Sequence, residues 1–199
     1  MFDYYEIYNT KILFTKLLNK MSVKNCELQK IKINRFFEIL KRLKMENGWK
    51  AFYEYNKQAS GGHPSVYAIN KSGEKDHLYN RVITDGTTEG FIQLALLILL
   101  HDKFCLSWHA NYMKIDIIIS IRDLASLPFD EEKLINIAKD IEIQTKKDTN
   151  FINLNICTFN SWEGLKKIPF SFNVYYPHKP TILIDEIKTI EKYDCGLCY

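Results

Sequence analysis

Residues 87–120 read TTEGFIQLALLILLHDKFCLSWHANYMKIDIIIS, and this stretch decides the fold. Gly90–Leu100 is an uncharged run of eleven residues that ends at His101-Asp102. A helix apolar on nearly every side belongs at the centre of a globule. Thr87 or Thr88 is placed to cap it. Two strand-like segments follow, 104–110 and 115–120. In the first, Phe104, Leu106, Trp108 and Ala110 alternate with Cys105, Ser107, His109 and Asn111, so one side is oily and the other polar. The expectation is a sheet whose apolar side lies on the central helix and whose polar side meets something else.

Working outward, 151–159 alternates in the same way. Ile152, Leu154 and Ile156 point inward, and Asn153, Asn155 and Cys157 point outward. The segment 170–176 follows suit, with Phe172, Val174 and Tyr176 opposite Ser171, Asn173 and Tyr175. Strand signals also cover 65–70, 78–83 and 181–187. Lys71-Ser72-Gly73-Glu74 makes the turn of a hairpin, and Asp85-Gly86 makes another turn. Helical signals lie at 3–20, at 26–45 and at 130–147. In the second of these, Ile33, Phe36, Phe37, Leu40 and Leu43 keep the 3.6-residue period. In the third, Leu134, Ile137, Ala138 and Ile141 do so. Asp130, Glu131 and Glu132 open that last helix, and Lys146 and Lys147 close it, as the helix dipole favours. Ser120-x-x-Asp123 has the form of a capping box. Trp49–Asn56 fits either period and is assigned to a helix, because the next clear stop is Ser60-Gly61-Gly62-His63-Pro64.

Most strand links are too short for parallel crossovers. The chain is therefore expected to be α+β: a largely antiparallel sheet of about five to six strands, helices packed on one face, and an N-terminal helical segment. Residues 1–60 form that helical segment and 61–199 the sheet domain, in one compact unit.

The chain has 199 residues, 46% of them hydrophobic and 26% charged, which suits a globule and excludes disorder. Asp3, Glu6, Lys11 and Lys16 do not read as a signal peptide. The apolar run is shorter than the ~20 residues of a membrane span. Five cysteines without a leader read as reduced thiols of a cytoplasmic protein. The wealth of Ile, Lys and Asn fits a bacterial or phage chain. Net charge is +3, but Ser22–Lys44 holds seven cations and two anions, so the rest of the chain carries −2.

No motif names a reaction. Cys105 and His109 suggest a nucleophile and base, with Cys157 a further thiol. On one strand, however, residues 105 and 109 are about 13 Å apart, out of hydrogen-bond reach. Cys195-Gly196-Leu197-Cys198 lacks a following helix and a second ligand pair, so no metal is expected. No cofactor is expected either. His101-Asp102 matches the dipeptide of metal phosphohydrolases without their other ligands, and a cation at the end of the apolar helix explains it more simply.

The amide-rich outward faces fit recognition better than catalysis, since Asn offers donors and acceptors and Tyr a rigid contact surface. The leading expectation is a macromolecule-binding protein with another protein as partner, inhibitor- or immunity-like. It would bind through Ser107, His109, Asn111, Asn153, Asn155, Asn173 and Tyr175, or through Lys41 and Arg42. One alternative is a small enzyme with a Cys/His site beside the central hairpin. Another is nucleic-acid binding through the basic helix 26–45, although no aromatic stripe accompanies it in the sequence. No membrane partner is expected.

Overall fold

The computed structural model describes residues 3–20, 31–32, 35–55, 64–101 and 114–194. Helix α1 (Tyr4–Lys20) buries Ile7, Phe14 and Leu18 along one side. Strand β1 (Ile31–Lys32), helix α2 (Arg35–Ile39) and strand β2 (Leu43–Met45) follow. Strands β3 (Trp49–Tyr55), β4 (Pro64–Asn70) and β5 (Lys75–His77) come next. A 3-10 turn at Leu78–Arg81 then leads to β6 (Val82–Thr84). The apolar run is helix α3 (Thr88–Leu100). Beyond it lie β7 (Asp116–Ile118), α4 (Ile121–Leu124), α5 (Glu131–Ile137) and β8 (Thr145–Lys147). The long strands β9 (Phe151–Asn160) and β10 (Gly164–Asn173) precede β11 (Thr181–Ile182) and β12 (Lys188–Glu191).

Among the described residues, every strand pairing is antiparallel. A four-stranded sheet has the order β1-β3-β4-β5, and β2 pairs with β6 in a separate ribbon. A six-stranded sheet has the path β11-β10-β9-β7, with β12 on β10 and β8 on β9. The chain is thus α+β with antiparallel sheets, as its patterning implied. Among the described residues, no helix is long and apolar enough to cross a membrane.

Helix α3 is buried on every side, and Thr87 caps it by accepting the Gly90 N–H at 3.1 Å. The β9–β10 hairpin presents Ile152, Leu154, Ile156, Ile168, Phe170 and Phe172 to the core that α3 shares. Phe91 of α3 meets Phe172 with ring centroids 5.7 Å apart. The opposite face of the same hairpin carries Cys157, Phe159 and Leu165, which join Leu124, Ile137 and Ile141 in a second core. The hairpin therefore has a core on each face, the second over one end only.

Several elements differ from the sequence reading. The span 26–45 is not one helix: among its described residues, Arg35–Ile39 is helical, while Ile31–Lys32 and Leu43–Met45 are strands. The Arg42 N–H is taken by Gln93 Oε1 at 3.1 Å and its guanidinium by Glu6 and Asp85, so tertiary partners end the helix. Trp49–Tyr55 is a strand because it finds a seven-residue partner in β4 and buries Ala51. This β3–β4 pairing joins residues on both sides of position 60. The hairpin partner of β4 is Lys75–His77, while Val82–Thr84 leaves to pair with β2. Helix α5 stops at Ile137. Beyond it Ile141 and Ile143 are buried with Glu142 exposed between them, a two-residue period that leads into β8. Strand β10 starts at Gly164, earlier than its alternation suggested, and 181–187 divides into β11 and a 3-10 turn. The expected strand at 104–110 lies outside the described residues.

Candidate functional site

Chain alternation and cross-strand register set the outer face of the β9–β10 hairpin. Asn153 faces Ser171 on β10 and Lys146 on β8, and Ser171 faces Thr181 on β11. Asn155 lies opposite Pro169, and Asn173 opposite the exposed Phe151. The structure therefore brings Asn153, Asn155 and Asn173 onto one face, beyond the end that the second core covers. Asn153 is exposed and Asn155 and Asn173 half-buried. The Asn173 side chain turns back on its own loop, with Nδ2 donating to the Pro177 carbonyl at 3.2 Å. Tyr175, two residues on, is 70% exposed. Ser107, His109, Asn111 and Cys105 lie outside the described residues, as do Cys195 and Cys198.

Cys157 shares this face but lies beneath the second core, 1% exposed, where its thiol donates to the Asp140 carbonyl. Burial pushes the thiol's pKa up to about 11, so it sits there as a packing group and not as a thiolate nucleophile. Lys41 is exposed in the turn before β2. Arg42 is not free: Nε and Nη2 donate to the two oxygens of Glu6 at 2.6 Å each, and Nη1 donates to Asp85 at 2.9 Å. These bonds hold its pKa above the ordinary arginine value. Burial opposes the ionisation of Asp85, but hydrogen bonds from Thr87 and Arg42 outweigh it and keep this carboxyl below the usual range.

Two features had no signal in the sequence. In the first, Arg81 stacks on Trp49 with the guanidinium carbon 4.1 Å from the ring centroid, and donates to Asp76 and Glu46. The Tyr176 hydroxyl donates to the same Glu46 at 2.7 Å. Burial and this carboxylate push the Tyr176 pKa up to about 12. Beside it, His178 is 4% exposed. The Thr84 N–H donates to Nε2 at 3.1 Å, so the proton is on Nδ1, which donates to the Asn173 carbonyl at 3.0 Å. Every group here is satisfied by a neighbour, and the network pins the 174–180 loop to β6.

The second feature is a groove of about 400 Å³ where the first turns of α1 cross the start of α4 and the chain after α5. Tyr4, Tyr5, Tyr8, Ile121, Arg122 and Glu142 line it. Tyr5 is 75% exposed, Ile121 69% and Tyr4 39%. Arg122 lies 5.9 Å from the centre of the Tyr8 ring. Burial, helped by Glu142, holds the Tyr4 hydroxyl above its usual pKa. Asp123 fixes the floor: it accepts from the Ile119 and Ser120 N–H groups at 2.9 and 3.1 Å and from the Lys11 ammonium. Two residues past Glu142, the Gln144 carbonyl accepts from the Asn155 N–H, so one short segment borders both groove and amide face. The tyrosines escape a sequence reading because Tyr4 and Tyr8 keep a helical spacing that equally fits core packing.

Among the described residues, no cluster of His, Cys, Asp and Glu has the arrangement to hold a metal. No known protein family, curated protein or solved structure matches this chain.

Proposed function

We propose that this chain is a cytoplasmic binding protein, inhibitor- or immunity-like in action, that captures another protein in the tyrosine groove, with the amide face as its polar margin. The observation that carries this reading is the pair of large side chains, Tyr5 and Ile121, held out into solvent on the two sides of an apolar depression. Exposed apolar groups gathered at a concavity mark interaction sites. Aromatic and arginine side chains around a desolvated centre, with hydrogen-bonding groups outside it, are the usual anatomy of a protein interface. Asn153, Asn155 and Lys146 supply the outer part. Binding here is steric: the partner loses access to the surface it buries. The sequence-based alternatives have less support among the described residues, since Arg42 spends its charge on Glu6 and Asp85 and Cys157 is a buried thiol.

The test places a photo-crosslinking amino acid at Tyr5, at Ile121, or at the exposed Ser161 of the β9–β10 turn, in the cells that make the protein. The first two positions are expected to yield the same discrete protein adduct, and Ser161 none. The double variant Tyr5→Ala/Ile121→Ser is expected to weaken capture of the identified partner about tenfold or more. No discrete adduct at either groove position, or an undiminished affinity in the double variant, overturns the reading.

A further inference from the structure

One buried side chain fastens the 174–180 loop to the body of the fold. Tyr175, Pro177 and Lys179 are exposed, Val174, Tyr176 and Pro180 are half-buried, and His178 alone in this segment is buried. Its ring lies edge-on to Phe91 of α3 and to Tyr176, with centroids 5.2 and 5.7 Å away. Both ring nitrogens are committed. Nε2 accepts the Thr84 N–H of β6, and Nδ1 donates to the Asn173 carbonyl where the loop leaves β10. The His178 carbonyl accepts the Asn173 N–H in return, at 2.6 Å. The Thr84 hydroxyl lies 3.3 Å from Nε2 and already accepts from the Gly86 N–H. The charged and titratable groups of the surrounding elements are turned to other partners. Tyr176 donates its hydroxyl to Glu46, which Arg81 also holds. Asp85, next to Thr84, is bound by Thr87 and Arg42. Glu89 of α3 accepts the Asp3 N–H, and Lys147 of β8 donates to the Gly86 carbonyl. Lys179, next in the chain, is exposed. Among the described residues, no carboxylate bonds to the His178 ring.

We propose that His178 is an acid-released latch: a second proton on its ring frees the 174–180 loop from β6 and α3 while α3 and the β9–β10 hairpin stay folded. The proton adds at Nε2, the one ring nitrogen that acts as an acceptor. The new N–H then points at the Thr84 N–H, so a donor meets a donor. The Thr84 hydroxyl can take the added proton, but the Thr84 amide is left without its acceptor. The imidazolium is enclosed with no counter-charge on it, which is costly, and water supplies what it lacks once the loop leaves. Burial holding the ring's pKa below its ordinary value agrees with this geometry. The release is local because the other side chains of the loop are exposed or half-buried. Apart from His178, the Tyr176 hydroxyl makes the loop's side-chain hydrogen bonds to distant described elements. Segments held by so few contacts open below the free energy of global unfolding. Release uncovers the Phe91 ring and frees the Asn173 side chain, which otherwise donates to the Pro177 carbonyl. An effect on partner capture rests on the amide face serving as proposed above; the release itself does not.

Amide exchange of the full chain at pH 7.5 and 5.5, read by NMR and corrected for the intrinsic effect of pH on exchange, tests this. Protection at Thr84 and through 174–180 is expected to fall about tenfold, the ratio for one proton taken up by a released ring of ordinary pKa 6.5. Protection in α3 and in the paired part of the β9–β10 hairpin is expected to change less than about twofold. His178→Gln keeps an acceptor for Thr84 and is expected to remove the pH dependence. Tyr176→Phe is expected to lower protection of the loop at both pH values and to keep the ratio of about ten between them. Equal protection of the wild-type loop at the two pH values, an equal loss throughout α3, or the same ratio in His178→Gln overturns the proposal. The crosslinking at Tyr5 and Ile121 involves no residue of this loop, so each proposal fails on its own.

Discussion

A buried histidine decides how the 174–180 loop is held, and its chemistry has a consequence for pH. The His178 ring lies against Phe91 and Tyr176, and desolvation lowers its pKa although the Asn173 carbonyl acts in the other direction. The folded protein therefore keeps the ring neutral where the unfolded chain takes up a proton. The stability from the neutral ring is complete above the unfolded value of 6.5 and is lost as pH falls below it. Urea unfolding between pH 8 and 5 is expected to show stability declining on the acid side by up to about 1.4 kcal/mol per pH unit from this group. His178→Gln, which can still accept from Thr84, is expected to flatten that part of the profile. An identical slope in the variant would show that His178 does not titrate this way. The residue was legible only as a histidine near two prolines; its partner Thr84 lies 94 positions away.

At the scale of elements, helix α4 is a single turn, too short to persist alone. It persists because Asp123 closes the capping box with Ser120 and receives Lys11 from α1, so one carboxylate ties two elements together. Leaving the largely buried Lys11 without its partner is costly. Asp123→Ala is expected to lower stability by about 3 kcal/mol, or about 6–12 °C in Tm. Amide exchange should rise through 119–124 and the middle of α1, with α3 little changed; a shift below 2 °C would contradict this role. The capping box itself was plain from Ser120-x-x-Asp123, since its signal is local. The end of α2, the strand at Trp49–Tyr55 and the stop at Ile137 were not. At each, a helical period competes with pairing or hydrogen bonding to residues far along the chain, and the distant partner wins.

For the whole molecule, the two cores are unequal. The inner one joins α1, α2, α3 and both larger sheets, whereas the outer one joins α4, α5, the end of β7 at Ile118, Ile190 of β12 and one end of the hairpin. Phe91→Ala is expected to cost about 3–5 kcal/mol and to shift unfolding of the entire chain. Ile137→Ala is expected to cost about 2–4 kcal/mol, with faster exchange concentrated in 118–143. Hydrogen exchange by mass spectrometry separates the two, and equal deprotection of α3 in both variants would mean that the cores do not differ in reach. This asymmetry also sets the extent of the amide face, which ends where the outer core begins.

The sequence by itself determined the class of fold, the identity of the central helix with a cap at Thr87 or Thr88, the inward sides of β9 and β10, and the outward sides on which Asn153, Asn155 and Asn173 lie. Each of these follows from periodicity within one segment, which the chain carries locally. Only the tertiary structure decided that Arg42 is spent on Glu6 and Asp85, that Cys157 lies under a second core, that tyrosines of α1 border a groove with α4, and that His178 meets Thr84 of β6. These depend on which distant elements meet and in what register, and register is set by the packing of the whole chain, not by the pattern of any one part.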